Sequence, residues 1–225
     1  IEAGLDLSIL DDRVSFEFTY YTKKTTNAIA AVPAPPSAGL PGSQFLNIGE
    51  IQNRGFEIGF DATAYQSRDL GVDFNLKFSR NKNKIVSVGE DPFLTYSAGF
   101  GQYHVPGFPM AGIFHRRVLS ADINSSGSQP VATNMMCESG AVTPGTVTGT
   151  TPGFSMGGGP AVPCLDAPAV YWGNAIPVWE GAAALSVTVR QNLILFGQVD
   201  FVGGHTILSG DVRAAHMSFR NTRAI

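Results

Sequence analysis

Phe56-Glu57-Ile58-Gly59-Phe60-Asp61-Ala62-Thr63-Ala64, followed after a short break by Val72-Asp73-Phe74-Asn75-Leu76-Lys77-Phe78-Ser79, is the stretch on which the fold turns. Apolar residues fill every second position in both runs, the spacing at which a β-strand sends successive side chains to opposite faces. Residues 65–71 lie between them as the expected turn, so the pair reads as a hairpin with one apolar and one polar face. The same grammar stands at the start of the chain. Ile1, Ala3, Leu5, Leu7 and Ile9 alternate with Glu2, Gly4, Asp6 and Ser8. After Asp11-Asp12-Arg13, Val14, Phe16, Phe18 and Tyr20 alternate with Ser15, Glu17, Thr19 and Tyr21. A third hairpin starts at Ala183, Leu185, Val187 and Val189 and passes Gln191-Asn192 into residues 193–201, where Ile194 and Phe196 break the pattern of the polar face.

The connections are lopsided. Turns within hairpins take a few residues, whereas residues 27–44 and 90–178 join one hairpin to the next. Long connections without structure of their own are uncommon in compact domains. Tight turns on one rim, long loops on the other and alternating strands of about ten residues describe an outer-membrane barrel. A secreted β-sandwich also alternates, with more even connections, and would carry its charged residues outward. Residues 112–119 read as a strand inside the second long connection, and residues 211–221 as a short helix.

Of the 225 residues, 44% are hydrophobic and only 15% charged, below the usual share of a soluble domain. A net charge of −3 disfavours a dedicated nucleic-acid binder. The uncharged stretch 139–165 is filled with Gly, Pro and Thr and is no membrane helix. His104, His115, His205 and His216 lack zinc spacing, and Asp122-Ile123-Asn124-Ser125-Ser126-Gly127 opens like a calcium loop but has Thr133 where the closing Glu belongs, so a turn is expected there. Gly157-Gly158-Gly159 lacks the Lys-Ser/Thr of a phosphate loop. Glu2, Asp6, Glu17, Glu57, Asp61 and Asp73 lie along polar strand faces and read as the lining of a hydrated lumen rather than an acid–base pair. No catalytic constellation, metal site or cofactor is expected.

The run Asn47-Ile48-Gly49-Glu50-Ile51-Gln52-Asn53-Arg54-Gly55-Phe56-Glu57 resembles the NxGxxxNxGxE strand entry of the SusC/RagA-like TonB-dependent receptors. Asp12-Arg13 with Tyr20-Tyr21-Thr22-Lys23-Lys24-Thr25, the Pro-rich residues 33–39, Phe78-Ser79-Arg80-Asn81-Lys82-Asn83-Lys84-Ile85-Val86, and Gly173-Asn174-Ala175-Ile176-Pro177-Val178-Trp179-Glu180-Gly181 resemble further motifs of that family, in its order. The resemblance implies an all-β, antiparallel, up-and-down transmembrane barrel of 22 strands with a plug. Residues 1–225 would be an internal, incomplete part of the barrel domain, with plug, TonB box and last strands outside it. It also implies a bacterial outer-membrane location, surrounding lipid, a TonB complex acting through the N-terminal part, a SusD-like lipoprotein above, and uptake of a bulky nutrient such as a glycan or peptide. The motif residues expected to be structural are Asn47, Gly49, Asn53, Gly55, Glu57, Gly173, Asn174, Pro177, Trp179 and Glu180.

The residues themselves supply physical reasons. Gly49, Gly55 and Gly59 inside strand patterns suggest bulges or close backbone approach, and Asn47 and Asn53 suit free backbone groups where pairing breaks. Tyr20, Tyr21, Phe45 and Tyr65 are candidates for an aromatic girdle or ordinary strand aromatics. Cys137 and Cys164 share the connection expected outside the cell and are expected to pair after export through an oxidising compartment. The competing reading is a secreted β-sandwich carbohydrate-binding module that offers Tyr171, Trp172 and Trp179 to sugars.

Overall fold

The computed structural model describes residues 1–33, 43–88, 96–99, 101–127, 130–143, 152–190 and 192–209; the expected helix at 211–221 and most of the Pro-rich segment lie outside them. In chain order the strands are β1 (Glu2–Ile9), β2 (Val14–Pro33), β3 (Ser43–Gln66), β4 (Leu70–Ser87), β5 (Tyr96–Gly99), β6 (Gln102–His104), β7 (Gly112–His115), β8 (Val118–Asn124), β9 (Val131–Glu138), β10 (Phe154–Ser155), β11 (Ala161–Pro163), β12 (Ala169–Asn174), β13 (Trp179–Val189) and β14 (Leu193–Gly203). No helix among the described residues is long and apolar enough to cross a membrane, which leaves crossing by strands open.

The three hairpins form one sheet in the order β1-β2-β3-β4-β13-β14, antiparallel throughout. Strict alternation of direction puts the β1–β2, β3–β4 and β13–β14 turns on one rim and the long connections on the other. The turns are tighter than the sequence suggests. Pairing runs on to Gln66↔Gly71, and Ser67 closes the turn by donating its N–H to the Leu70 carbonyl at 2.7 Å. Between β1 and β2 the chain reverses through Leu10, Asp11 and Asp12, all left-handed with φ of 59°, 53° and 62°.

One expectation needs correction. Of the connection expected at 27–44, residues 27–33 and 43–44 are strand: β2 continues to Pro33 and β3 begins at Ser43, while the register slips at Ala28, beside Asn27 with its φ of 56°, and is restored at Ile29. Asn tolerates the left-handed region, so the strand survives a residue that reads as a breaker. In the third hairpin β13 starts at Trp179, directly after the connection expected at 90–178, and Trp179, Glu180, Gly181 and Ala182 ahead of the alternating run pair with β4 and β14 on both sides.

The register settles the facing. Leu7, Phe16, Phe60, Leu76, Ala183 and Val199 form one transverse row, and Leu5, Phe18, Ile58, Phe78, Gly181 and Phe201 form the next on the same face. Every apolar run therefore belongs to a single surface. That surface stays open: Leu5 is 56%, Leu185 46% and Val199 66% exposed. A sandwich would cover it with a second sheet. The described residues instead place their buried core elsewhere, in a five-stranded sheet of order β10-β12-β7-β6-β5 built from the second long connection.

Candidate functional site

The opposite face of the six-stranded sheet is polar. Asp6 stands opposite Glu17, Thr19 opposite Glu57, and Glu57 opposite Ser79, which is in turn opposite Glu180. Like charges such as Asp6 and Glu17 on paired positions repel, and hydration is what makes them tolerable. Hydrogen bonds run between strands on this face, Thr63 Oγ1 donating to Asp73 Oδ1 at 2.9 Å and Asn75 Nδ2 to Asp61 Oδ1, and along β14, where Gln198 Nε2 donates to Asp200 Oδ1 at 2.9 Å. A groove of about 520 Å³ is lined here by Glu17, Glu57, Lys77, Ser79, Glu180 and Asp200. Lys77, Ser79 and Asp200 escaped the sequence reading as groove residues; their even spacing from the flanking apolar positions was the signal. Ile194 and Phe196 do lie on this polar face, close to the tight-turn rim.

The family-like motifs converge although they are far apart in sequence. Tyr20, Phe56, Arg80, Trp179 and Gly203 make one row on the apolar face, and Thr19, Glu57, Ser79, Glu180 and Val202 the adjacent row on the polar face. Gly55 is buried between Tyr21 and Asn81, and a Cβ there would collide with the Arg80 carbonyl and with the Tyr21 ring. Tyr21 thus lies over Gly55 on the polar face and belongs to no lipid-facing girdle, whereas Tyr20 and Tyr65 are half exposed. Phe45's side chain lies outside the described ones. Gly49 faces Ala28 beside the Asn27 bulge, where a Cβ would come within 2.9 Å of the Ala28 Cβ. Asn53 does not serve a break in pairing: it sits in continuous register with Lys23 and Asn83 and accepts from Asn81 Nδ2 at 3.4 Å. Asn47 is exposed opposite Ile29.

The second motif forms the corner where the five-stranded sheet, the cap, leads through β12 into β13. Gly173 occupies a bulge in β12 with φ of 140°, and Thr206 fills the space a side chain would need. The Asn174 carbonyl accepts from the Thr206 N–H at 2.6 Å, and its Oδ1 accepts from the Tyr171 hydroxyl at 2.6 Å. Pro177 leads into Val178, whose N–H donates to the Gly203 carbonyl at 2.9 Å. Trp179 then lies across Gly203, where a Cβ would strike its ring.

The cap holds together by aromatic packing. Phe114 is 1% exposed and meets Phe108 and Phe154 at ring separations of 4.9 Å, with Tyr103 and Tyr171 at the edges. Burial pushes the Tyr171 phenol above its usual pKa and pulls the His104 imidazole below its own. His104 Nδ1 accepts from the Ala111 N–H at 3.1 Å. A three-stranded sheet, β11-β9-β8, projects beside it, with Asp122 inside β8 and the turn expected of this segment made by Asn124 Oδ1 accepting from the Ser126 N–H at 3.0 Å. Cys137 and Cys164 form a disulfide with Cα atoms 4.7 Å apart. Arg117 joins the two sheets: it pairs with Glu138 at 2.7 Å and lies 4.6 Å from the Trp172 ring centroid. Tyr171, Trp172 and Trp179 therefore do not share a platform. One is in the aromatic core, one is stacked under an arginine, and one is on the barrel strand.

Residues 1–155 match the family of TonB dependent receptor-like β-barrels. TonB-dependent receptor P3 of Formosa agariphila is 36% identical over 101 residues, 44% of this chain and 10% of that protein. TonB-dependent receptor SusC of Bacteroides thetaiotaomicron is 27% identical over 99 residues, 43% of this chain and 10% of SusC. The structure of the RagAB peptide transporter superposes with a TM-score of 0.64 at 20% identity, covering 90% of this chain and 20% of that one. The chain thus spans about a tenth of the length of these curated relatives and a fifth of the solved chain. A single antiparallel sheet, open apolar on one face and acidic on the other, is the piece of barrel such a share represents. The chain belongs to the TonB-dependent receptor family, as a SusC/RagA-like stretch of its β-barrel.

Proposed function

We propose that residues 1–225 all belong to the barrel domain of an outer-membrane receptor that imports a bulky nutrient, a glycan or a peptide, and that the protein is a conduit rather than an enzyme. The observation that carries this reading is the division of the sheet into an uncovered apolar face and a groove lined by Glu17, Glu57, Lys77, Ser79, Glu180 and Asp200. The first suits lipid and the second a hydrated passage. The cap formed by β5–β12 would stand over the passage on the extracellular rim. There a SusD-like lipoprotein would meet it, and a TonB complex would supply energy through the N-terminal part of the complete protein. The motif residues from Asn47 to Glu57 and from Gly173 to Glu180 would be structural, fixing the belt between cap and barrel. Lipid-facing apolar bands of such barrels are about 25 Å tall, and ten residue steps of about 3.4 Å at a tilt near 40° give ~26 Å, the span of β13.

The test is uptake by cells that carry the complete receptor as their sole copy. Labelled oligopeptides or oligosaccharides should enter in an energy-dependent manner, and a protonophore should abolish entry. Uptake of both classes unchanged by deleting the receptor would overturn the reading.

A further inference from the structure

The apolar face ends in the row Tyr20, Phe56, Arg80 and Trp179. Toward the long-connection rim the next row carries Arg54 opposite Lys82, and the one beyond carries Gln52 opposite Lys84, all on the same face. Arg54, Arg80, Lys82 and Lys84 are exposed and line one groove of about 430 Å³, floored by Tyr20 and Phe56. Lys24, two positions along from Thr22 on β2, is already neutralised by Glu50 at 2.9 Å. Among the described residues the other four cations have no ion-pair partner. On the opposite face the same rows hold Asn53, Asn81 and Asn83, with Lys23 opposite Asn53. Positive charge is therefore concentrated on the side that also bears the apolar band, with Lys24, Arg54, Arg80, Lys82 and Lys84 there against Lys23 behind them.

Four cations within a few residues of one another repel unless an anion joins them, and guanidinium and ammonium groups together suit phosphate, the first by paired donors and the second as a point charge. A soluble anion would gain nothing from the surface below the groove, where Phe56 lies 6.3 Å from Phe18 and 5.9 Å from Phe78, ring centre to ring centre. An amphiphile gains from both. We infer that the groove of Arg54, Arg80, Lys82 and Lys84 binds the phosphorylated headgroup of a lipid in the outer leaflet, of the lipid A kind, whose acyl chains run down over Phe56 and Phe78. This rests on the apolar face meeting lipid, not on what the receptor transports.

The experiment uses the complete receptor in detergent micelles and fluorescent diphosphoryl lipid A. The triple variant Arg54→Gln, Arg80→Gln, Lys82→Gln should weaken binding about tenfold or more, and lipid A stripped of its phosphates should bind the unaltered receptor no better than that. Arg54→Lys with Arg80→Lys, which keeps the charge, should retain most of the affinity. Lys77→Gln, on the opposite face, should leave it within about twofold. Should the triple variant fail to fold, Lys82→Glu with Lys84→Glu on exposed positions must show the same loss. Unchanged binding by the folded variants, an equal loss in Lys77→Gln, or displacement of lipid A by millimolar inorganic phosphate would each overturn the proposal, the last by assigning the site to a free anion. Quenching of Trp179 by brominated phospholipid separates the two levels: with quenching intact and lipid A unbound, the facing stands and the headgroup site falls.

Discussion

Gly55 and Gly59 stand four residues apart on β3, point to the same face and look alike in sequence, yet their surroundings differ. A Cβ at Gly55 meets the Arg80 carbonyl, which is backbone in the middle of a sheet and cannot withdraw, and the Tyr21 ring as well. A Cβ at Gly59 meets only the Glu17 side chain: its carboxylate oxygen at 3.3 Å, a flexible end that gives way cheaply, and its Cβ at 3.4 Å, an ordinary van der Waals contact. Gly55→Ala should therefore destabilise the complete barrel by about 1–3 kcal/mol, the usual cost of overpacking. Gly59→Ala should be neutral or stabilising by ~0.5 kcal/mol, through the entropy of the unfolded chain. Urea unfolding in lipid vesicles measures both, and equal losses would show that the Tyr21–Gly55 contact is not what requires glycine. That the two glycines interrupt a strand pattern was legible in the sequence. Which of them is spatially compelled was not, because the colliding atoms belong to Tyr21 and Arg80, distant in the chain and joined only by register.

At the scale of elements, legibility followed the period. The three hairpins were readable because Phe16, Phe60, Phe74 and Leu185 each sit in an unbroken alternation. The extension of β2 and β3 past Asn27 was hidden, since a bulge resets the alternation and Ala and Pro carry no facial signal. The cap was hidden more deeply. Its strands are as short as Phe154–Ser155, and their order interleaves β10 and β12 with β7, so no local pattern announces them. What holds the cap is an aromatic cluster and a few polar contacts, and one of these titrates. His104 Nδ1 accepts a hydrogen bond only while unprotonated, and burial lowers its pKa in the folded protein below the usual value near 6.5. The unfolded cap then binds the proton more readily than the folded one. The stabilisation is complete above about pH 6.5 and drains away as the pH falls through the lowered folded value. Hydrogen exchange at Ala111 in the complete receptor should accelerate on passing from neutral to mildly acidic pH, beyond what intrinsic exchange accounts for. His104→Gln should flatten that dependence.

For the molecule as a whole, lipid contact, passage and rim all depend on which face of the sheet meets hydrocarbon. Phe74 and Asp73 are chain neighbours on β4, in adjacent rows about midway along the apolar band, with Phe74 beside Ala62 and Leu185 and Asp73 beside Thr63 and Ser186. Both are accessible enough that an arginine could be accommodated without breaking a packed interior. The two substitutions therefore differ mainly in the solvent they face. Arginine at Phe74 must carry its charge into hydrocarbon near the midplane, at a cost of about 2–4 kcal/mol. Arginine at Asp73 stays hydrated, loses the hydrogen bond from Thr63 and gains attraction from Asp61 nearby on the same face, so it should cost well under half as much. Phe16→Arg and Glu17→Arg repeat the comparison two strands away, where relief of the Asp6–Glu17 repulsion makes the polar-face substitution milder still. Folding of the complete receptor into phosphatidylcholine vesicles, followed for each single variant, measures the differences. If Asp73→Arg and Glu17→Arg proved the more damaging pair, the facing would be inverted, the groove of acidic residues would lie against lipid, and a soluble sandwich with its apolar face covered by a second sheet would account better for the chain.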